Sequence, residues 1–168
     1  MGKRKLLIVE DDEAIRTQLT YALRDEYALF FAGDRAHAVA LVEGVSPELV
    51  SLDLGLPPSP DTAEEGLKTL DEILRLAPLT KVMVVTGNGD RQNALRAVEL
   101  GAFDFYLKPL NLDEFRVMLR RAGERESVEQ VQQLSTLAVQ IWNATPQLDR
   151  GGLTASELGR LGRVRPDR

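Results

Sequence analysis

The alternation of short apolar runs with amphipathic segments constrains the fold of this chain more than any other feature. Nearly continuous apolar runs over residues 6–9, 49–52 and 82–85 each lead into a polar residue. Such runs are typical of strands that are buried on both faces. Between them, apolar residues recur every three or four positions, as in amphipathic helices. This alternation indicates βαβ units, and therefore a parallel sheet with right-handed crossovers.

Five such strand–helix units fit the first part of the chain. Residues 27–31 and 103–107 supply the two remaining strands, and Gly101 is placed to end a helix in the αL conformation. We therefore predict an α/β domain over residues 1–123, a flavodoxin-like (βα)5 fold that is doubly wound around a parallel five-stranded sheet. In such sheets, ligands bind beyond the carboxyl ends of the strands.

The pattern changes after residue 123. Apolar residues are then three or four positions apart at Val131, Leu134, Ala138 and Ile141. This spacing predicts a C-terminal helical extension over residues 124–142 that acts as a linker or dimerisation helix. Packing on the first domain remains an alternative, because the stripe covers only about two heptads. Glycines and prolines interrupt residues 143–168, which predicts a weakly ordered tail.

The composition argues against several classes of protein. No apolar run approaches the about 20 residues that span a bilayer, and no signal peptide is recognisable. The absence of cysteine excludes disulfides and thiol catalysis, and the single histidine, His37, falls in a predicted surface helix. A net charge of −5 argues against a general nucleic-acid-binding surface. We therefore expect a cytoplasmic protein without a membrane anchor.

Acidic side chains stand at the ends of two predicted strands. Glu10 and Asp11 follow the first strand, and Asp53 ends the third. Like charges at close range are costly unless a cation neutralises them, and ligands that are all oxygen suit magnesium better than zinc or copper. The sequence therefore predicts a Mg²⁺ site. Asp12 is interpreted instead as the N-cap of the first helix.

A hydroxyl and an ammonium group stand at the ends of the fourth and fifth strands. Thr86 ends the fourth strand, and Lys108 ends the fifth. Facing a metal-bound carboxylate, they form a receptor for a tetrahedral oxyanion. Asp53 is the best candidate nucleophile, because it lies in the central strand between the acids and the donors. The predicted catalytic set is therefore Asp53, Thr86 and Lys108, with phosphoryl transfer as the chemistry.

Taken together, four segments resemble the signature segments of two-component response-regulator receivers. They lie at 9–12, 52–57, 84–87 and 106–109, within a resemblance that covers residues 4 to about 122. The resemblance implies Asp53 as the phosphoacceptor and Asp11 as a direct magnesium ligand. It also implies a water-mediated metal contact by Glu10 and a further ligand in the Gly55 carbonyl.

The resemblance also implies a switch and a set of partners. Thr86 and Lys108 would contact the phosphoryl group, and Phe105 would change rotamer with Thr86. A plain core aromatic is the alternative for Phe105, because a buried strand favours an aromatic residue in any case. A histidine kinase or phosphotransfer protein would donate the phosphoryl group. The chain would be a phosphoacceptor that catalyses its own phosphorylation and dephosphorylation. It would regulate transcription in the full-length protein and would bind DNA only through a further output domain.

One segment departs from the usual receiver pattern. Receivers usually have about three residues between the proline after the phosphoacceptor and a glycine that opens the third helix. Here the connection between Pro57 and Gly66 is longer, and it is acidic and rich in proline over residues 58–65. With the segments 85–88 and 90–95, it resembles receivers of the NtrC-type regulators associated with PEP-CTERM exopolysaccharide systems. Those continue into an ATPase domain and a helix-turn-helix. About 45 residues follow residue 123, so we expect either a piece of a longer regulator or a different output.

Two other functions are alternatives to that of a phosphorylated receiver. A haloacid-dehalogenase type of phosphohydrolase also uses a strand-end aspartate, but it carries a second acid two residues later, where this chain has Gly55. A pseudo-receiver would serve only as a phosphate-independent interaction module. The complete set of acids, hydroxyl and ammonium argues against the pseudo-receiver, and failure to bind magnesium would favour it.

Overall fold

The computed structural model describes residues 2–87, 90–124 and 136–140. Five strands alternate with five helices over residues 4–124. In chain order the elements are β1 (Arg4–Val9), α1 (Glu13–Leu23), β2 (Tyr27–Ala32), α2 (Arg35–Val45), β3 (Leu49–Asp53), α3 (Glu64–Leu76), β4 (Lys81–Thr86), α4 (Arg91–Glu99), β5 (Asp104–Leu107) and α5 (Leu112–Glu124).

All five strands are parallel and lie in the order β2-β1-β3-β4-β5. The order reverses at the neighbouring strands β1 and β3, which is the point where flavodoxin-like sheets bind ligands. Val9 and Leu52 are register partners near the carboxyl ends of these two strands. The predicted flavodoxin-like (βα)5 fold is therefore confirmed.

Helices cover both faces of the sheet. Along β1, Leu7 and Val9 belong to one buried cluster with residues of α2, α3 and α4. Leu6 and Ile8 belong to a second cluster with residues of α1 and α5. Because successive side chains of a strand point to opposite faces, both sets must be apolar. This double burial explains the continuous apolar runs in the sequence.

Two predicted helix boundaries have clear physical causes. The Asp12 carboxylate accepts hydrogen bonds from the amides of Ala14, at 2.8 Å, and Ile15, at 3.1 Å. Asp12 is therefore the N-cap of α1, as predicted. Beyond α4, Gly101 has a φ of 114°, a backbone conformation that glycine adopts without steric cost. The predicted end of that helix is confirmed as well.

The chain divides into two units, residues 1–125 and 126–168. In the second unit, residues 136–140 are helical with exposed side chains. Most of the predicted extension over 124–142, and all of the predicted tail over 143–168, lie outside the described residues. Within the described part of the chain, no helix is long and apolar enough to cross a membrane.

Candidate functional site

Three carboxylates converge at the carboxyl edge of the sheet, next to the reversal in strand order. Glu10 and Asp11 follow β1, and Asp53 is the last residue of β3. One carboxylate oxygen from each residue lies within 4.8 Å of those of the other two. Glu10 and Asp53 are buried, with exposures of 4% and 7%, whereas Asp11 is exposed. The structure therefore brings together the acids that the sequence predicted.

Lys108 supplies positive charge to the two buried acids. Its Nζ atom lies 3.1 Å from Asp53 Oδ2 and 3.7 Å from Glu10 Oε2. The Lys108 amide donates a hydrogen bond to the Thr86 carbonyl at 2.7 Å, which ties the residue to the end of β4. The peptide bond from Lys108 to Pro109 is cis. The ion pairs of its side chain and the hydrogen bond of its amide thus hold Lys108 at the acidic cluster.

The pKa values of Glu10 and Lys108 are both shifted by burial and by the charges around them. Burial raises the pKa of Glu10 to about 7, and the Asp53 carboxylate adds to the increase. Burial by itself lowers the pKa of Lys108, but the charges of Asp53 and Glu10 outweigh it, so that the pKa is raised. One ammonium group therefore does not fully compensate the acidic cluster.

The acidic cluster meets the chemical requirements of a hard divalent cation. Its ligand atoms are all carboxylate oxygens, which is the donor type that magnesium prefers. Two of the acids are buried against each other, and among the described residues Lys108 is the cation that forms an ion pair with them, so a bound metal ion would relieve their repulsion. The acidic cluster is therefore of the kind that is typical of the magnesium site in receiver domains.

The Asp53 carboxylate is held through both of its oxygens. The Gly55 amide donates to Asp53 Oδ1 at 3.1 Å, and Lys108 contacts Oδ2. A Cβ atom at Gly55 would lie 2.8 Å from the carbonyl oxygen of Pro60, so the close approach of the following loop requires glycine here. Gly55 therefore has a structural role beside Asp53 in addition to the metal contact predicted for its carbonyl.

Thr86 makes a contact that the sequence reasoning missed. Its side chain is 2% exposed at the end of β4, and its hydroxyl donates to Asp90 Oδ2 at 3.2 Å. Asp90 also accepts a hydrogen bond from the side-chain amide of Asn93, in the first turn of α4. An acid four residues after a strand-end threonine is the signal for this contact that the sequence offers. On the sequence alone, Thr86 is assigned to phosphoryl binding and to a switch with Phe105, and the contact with Asp90 is not included.

Phe105 lies on β5, where it pairs in register with Val84. It is partly buried and packs against the core cluster that includes residues of α2, α3 and α4. This position agrees with the alternative interpretation of Phe105 as a core aromatic. The switch role remains a prediction.

The extended connection after β3 is folded into turns. Ser59 donates its amide to the Leu56 carbonyl at 3.2 Å, and Thr62 donates to Ser59 at 3.1 Å. α3 begins at Glu64, two residues before the glycine expected to open it. Gly66 is instead inside the first turn, where an added Cβ would lie 2.3 Å from Leu54 Cα. The residue is glycine because α3 crosses the backbone of the β3–α3 connection at this point.

Comparison with known proteins identifies the class. Residues 6–120, well over half of the chain, match the family described as "Response regulator receiver domain". The chain therefore belongs to the response-regulator receiver family. It is a receiver of a two-component system. Such a domain is a phosphoacceptor and not a conventional enzyme, and its presence implies a cognate histidine kinase. The phosphohydrolase alternative is excluded by this membership.

Among its relatives are regulators of the NtrX type. The chain is 35% identical over 135 residues to the nitrogen assimilation regulatory protein NtrX of Azorhizobium caulinodans, covering 77% of this chain and 29% of that protein. It is 32% identical to a putative NtrX-like response regulator of Rickettsia felis, with 74% of this chain and 26% of that protein covered. The chain thus spans less than a third of the length of these relatives.

A solved structure shows the same fold. The receiver domain of NtrX from Brucella abortus superimposes with a TM-score of 0.66 at 34% identity, covering 71% of this chain and 98% of that domain. The similarity is therefore to a complete receiver domain.

Proposed function

We propose that Asp53 accepts a phosphoryl group from a histidine kinase or phosphotransfer protein, and that this modification switches the interactions of the chain. The observation that carries the proposal is the position of the Asp53 carboxylate. It is buried at the carboxyl edge of the sheet, 3.1 Å from the Lys108 ammonium group and within 4.8 Å of Glu10 and Asp11. The proximity of a buried carboxylate, an ammonium group and two further acids supports phosphoryl transfer to Asp53.

In the proposed reaction, an Asp53 oxygen forms a bond to phosphorus while the bond from phosphorus to the donor breaks. The donor leaves with the electron pair of that bond. Lys108 pairs with one phosphoryl oxygen, and the Thr86 hydroxyl donates to another. These contacts neutralise negative charge and hold the group in position, which is most of what phosphoryl transfer requires.

Magnesium would be held by Asp11, Asp53 and the Gly55 carbonyl, with Glu10 contacting the ion through water. When bound there, it neutralises charge on the phosphoryl oxygens. The donor chemistry of the acidic cluster supports this assignment.

We further propose the role of the whole protein. Given the NtrX-type relatives, it would regulate transcription, with DNA bound only through an output domain. The extended loop at 58–65 supports the narrower resemblance to regulators of PEP-CTERM systems. The same proposal includes three further points. Residues 124–142 form a homodimer contact, Thr86 and Phe105 form a switch, and the protein is cytoplasmic.

The direct test is the intact mass of the protein before and after incubation with acetyl phosphate. We expect one added phosphoryl group on the wild type, only when magnesium is present, and none on Asp53→Asn. Asp71→Asn is the matched control, because it makes the same change at an exposed ion pair with Arg75 on α3, and it should be labelled like the wild type. Labelling that persists on Asp53→Asn would contradict the assignment. A folded, magnesium-binding wild type that takes up no phosphoryl group would favour the phosphate-independent interaction module.

A further inference from the structure

Aspartates stand at the N-terminal ends of α1, α2 and α4, but their carboxylates accept different hydrogen bonds. Asp12 and Asp34 accept hydrogen bonds from amides in the first turn of their own helices. This is the usual role of aspartate at an N-cap. Asp90 stands at the same position before α4, yet it makes no side-chain cap hydrogen bond. Its carboxylate is therefore engaged elsewhere.

Both oxygens of the Asp90 carboxylate accept hydrogen bonds from side chains. Oδ2 accepts from the Thr86 hydroxyl at 3.2 Å, and Oδ1 accepts from the Asn93 side-chain amide. A threonine hydroxyl has one proton to donate, so Thr86 donates to one acceptor at a time. Thr86 is 2% exposed, which leaves little access for water to replace the carboxylate.

We infer that Asp90 is a positioning residue that restrains the Thr86 hydroxyl in the unphosphorylated protein and thereby opposes phosphoryl uptake at Asp53. The inference rests on the proposed function. For Thr86 to donate to a phosphoryl oxygen, its hydroxyl must first release Asp90. A hydrogen bond to a charged acceptor is stronger than one between neutral groups, so this release has a cost. Through Asn93 the same carboxylate is tied to the first turn of α4.

The test compares initial rates of phosphoryl uptake from acetyl phosphate at saturating magnesium. Asp90→Ala removes the competing acceptor, and we expect uptake about tenfold faster than in the wild type, the lower end of the effect of losing a charge-assisted hydrogen bond. Asp90→Asn keeps a neutral, weaker acceptor and should give an increase of about twofold. Asp71→Asn removes one negative charge from α3 and should leave the rate unchanged.

A second background separates the hydrogen bond from simple charge repulsion. Removing the negative charge of Asp90 would also favour an incoming anion, and that effect does not need the Thr86 hydroxyl. In Thr86→Val the hydroxyl is absent, so uptake should be slower, and adding Asp90→Ala should change it no further. The unfolding midpoint of each variant shows whether it is folded. If Asp90→Ala does not fold, Asp90→Asn makes the same comparison.

The outcomes are distinct. Faster uptake in the Asp90 variants that disappears in Thr86→Val supports the inference. Equal rates for wild type and the Asp90 variants, or an increase that persists in Thr86→Val, overturn it while the assignment of Asp53 stands. A wild type that takes up no phosphoryl group overturns the proposed function and this inference together.

Discussion

At the scale of single residues, Lys108 compensates two buried carboxylates at once. Its ammonium group contacts Asp53 and Glu10 from a half-buried position, with 29% of its side chain exposed. Removing one partner of a buried ion pair leaves the other charge without compensation, and this costs more stability than the pair itself provides. The stability of the sheet edge and its chemistry therefore depend on the same side chain.

We predict that Lys108→Met destabilises the protein by about 1–2 kcal/mol without magnesium. This is less than the cost of breaking a fully buried ion pair, because Lys108 is partly solvated. Urea unfolding at neutral pH measures the change. Lys68→Met is the matched control, because Lys68 is exposed, pairs with the exposed Glu64, and lies 3.7 Å from Glu65, which Arg35 also compensates. Its loss should therefore cost clearly less stability than the loss of Lys108. Equal losses in the two variants would show that Lys108 does not compensate the acids.

At the scale of elements, two helical glycines should respond in opposite directions to the same substitution. Gly66 in α3 faces the backbone of Leu54, with 2.3 Å from an added Cβ to Leu54 Cα, whereas an added Cβ at Gly44 in α2 meets nothing within 4 Å. We predict that Gly44→Ala stabilises the protein by about 0.5–1 kcal/mol through helix propensity. Gly66→Ala should destabilise it by about 1–3 kcal/mol through overpacking. Equilibrium unfolding of both variants is the measurement, and a stabilised Gly66→Ala would contradict the described position of α3.

A second element-scale prediction concerns the attachment of α5 to the turn before β2. Glu26 pairs with Arg120 at 2.9 Å and with Arg116 at 3.4 Å. The hydrogen bond from Arg120 is the main cause of a lowered pKa at Glu26. A lowered folded-state pKa gives stability that is present above the unfolded pKa and is lost as pH falls through the folded one.

Glu26→Gln should therefore cost about 0.5–1 kcal/mol at pH 7, the range of partly exposed pairs, and less near pH 3, because protonation of the carboxylate weakens the ion pair as the pH falls. Unfolding curves at the two pH values measure the difference. With Arg120→Met already present, the cost of Glu26→Gln at pH 7 should shrink. A cost that is the same at both pH values would exclude the ion pair as its cause.

At the scale of the whole molecule, the strands, their parallel arrangement and the carboxylates at their ends were predictable from the sequence. Buried parallel strands need apolar residues on both faces, and polar residues at their ends mark the site directly. The start of α3 was less predictable. Gly66 is required because α3 packs closely against the backbone of Leu54, and this tertiary contact is not visible in the local sequence pattern of a helix. The Asp90 contact was missed because the sequence does not determine which acceptor the hydroxyl of Thr86 bonds to, and the three-dimensional structure is needed to identify it.

The measurement that tests the central claim most directly is chemical location of the phosphoryl group. After incubation with acetyl phosphate and magnesium, borohydride reduces an aspartyl phosphate to homoserine, and tandem mass spectrometry of the digested protein locates the altered residue. We predict homoserine at position 53, absent when magnesium is left out. Homoserine at Asp11 or at another acid, with position 53 unchanged, would contradict the assignment of Asp53 as the phosphoacceptor.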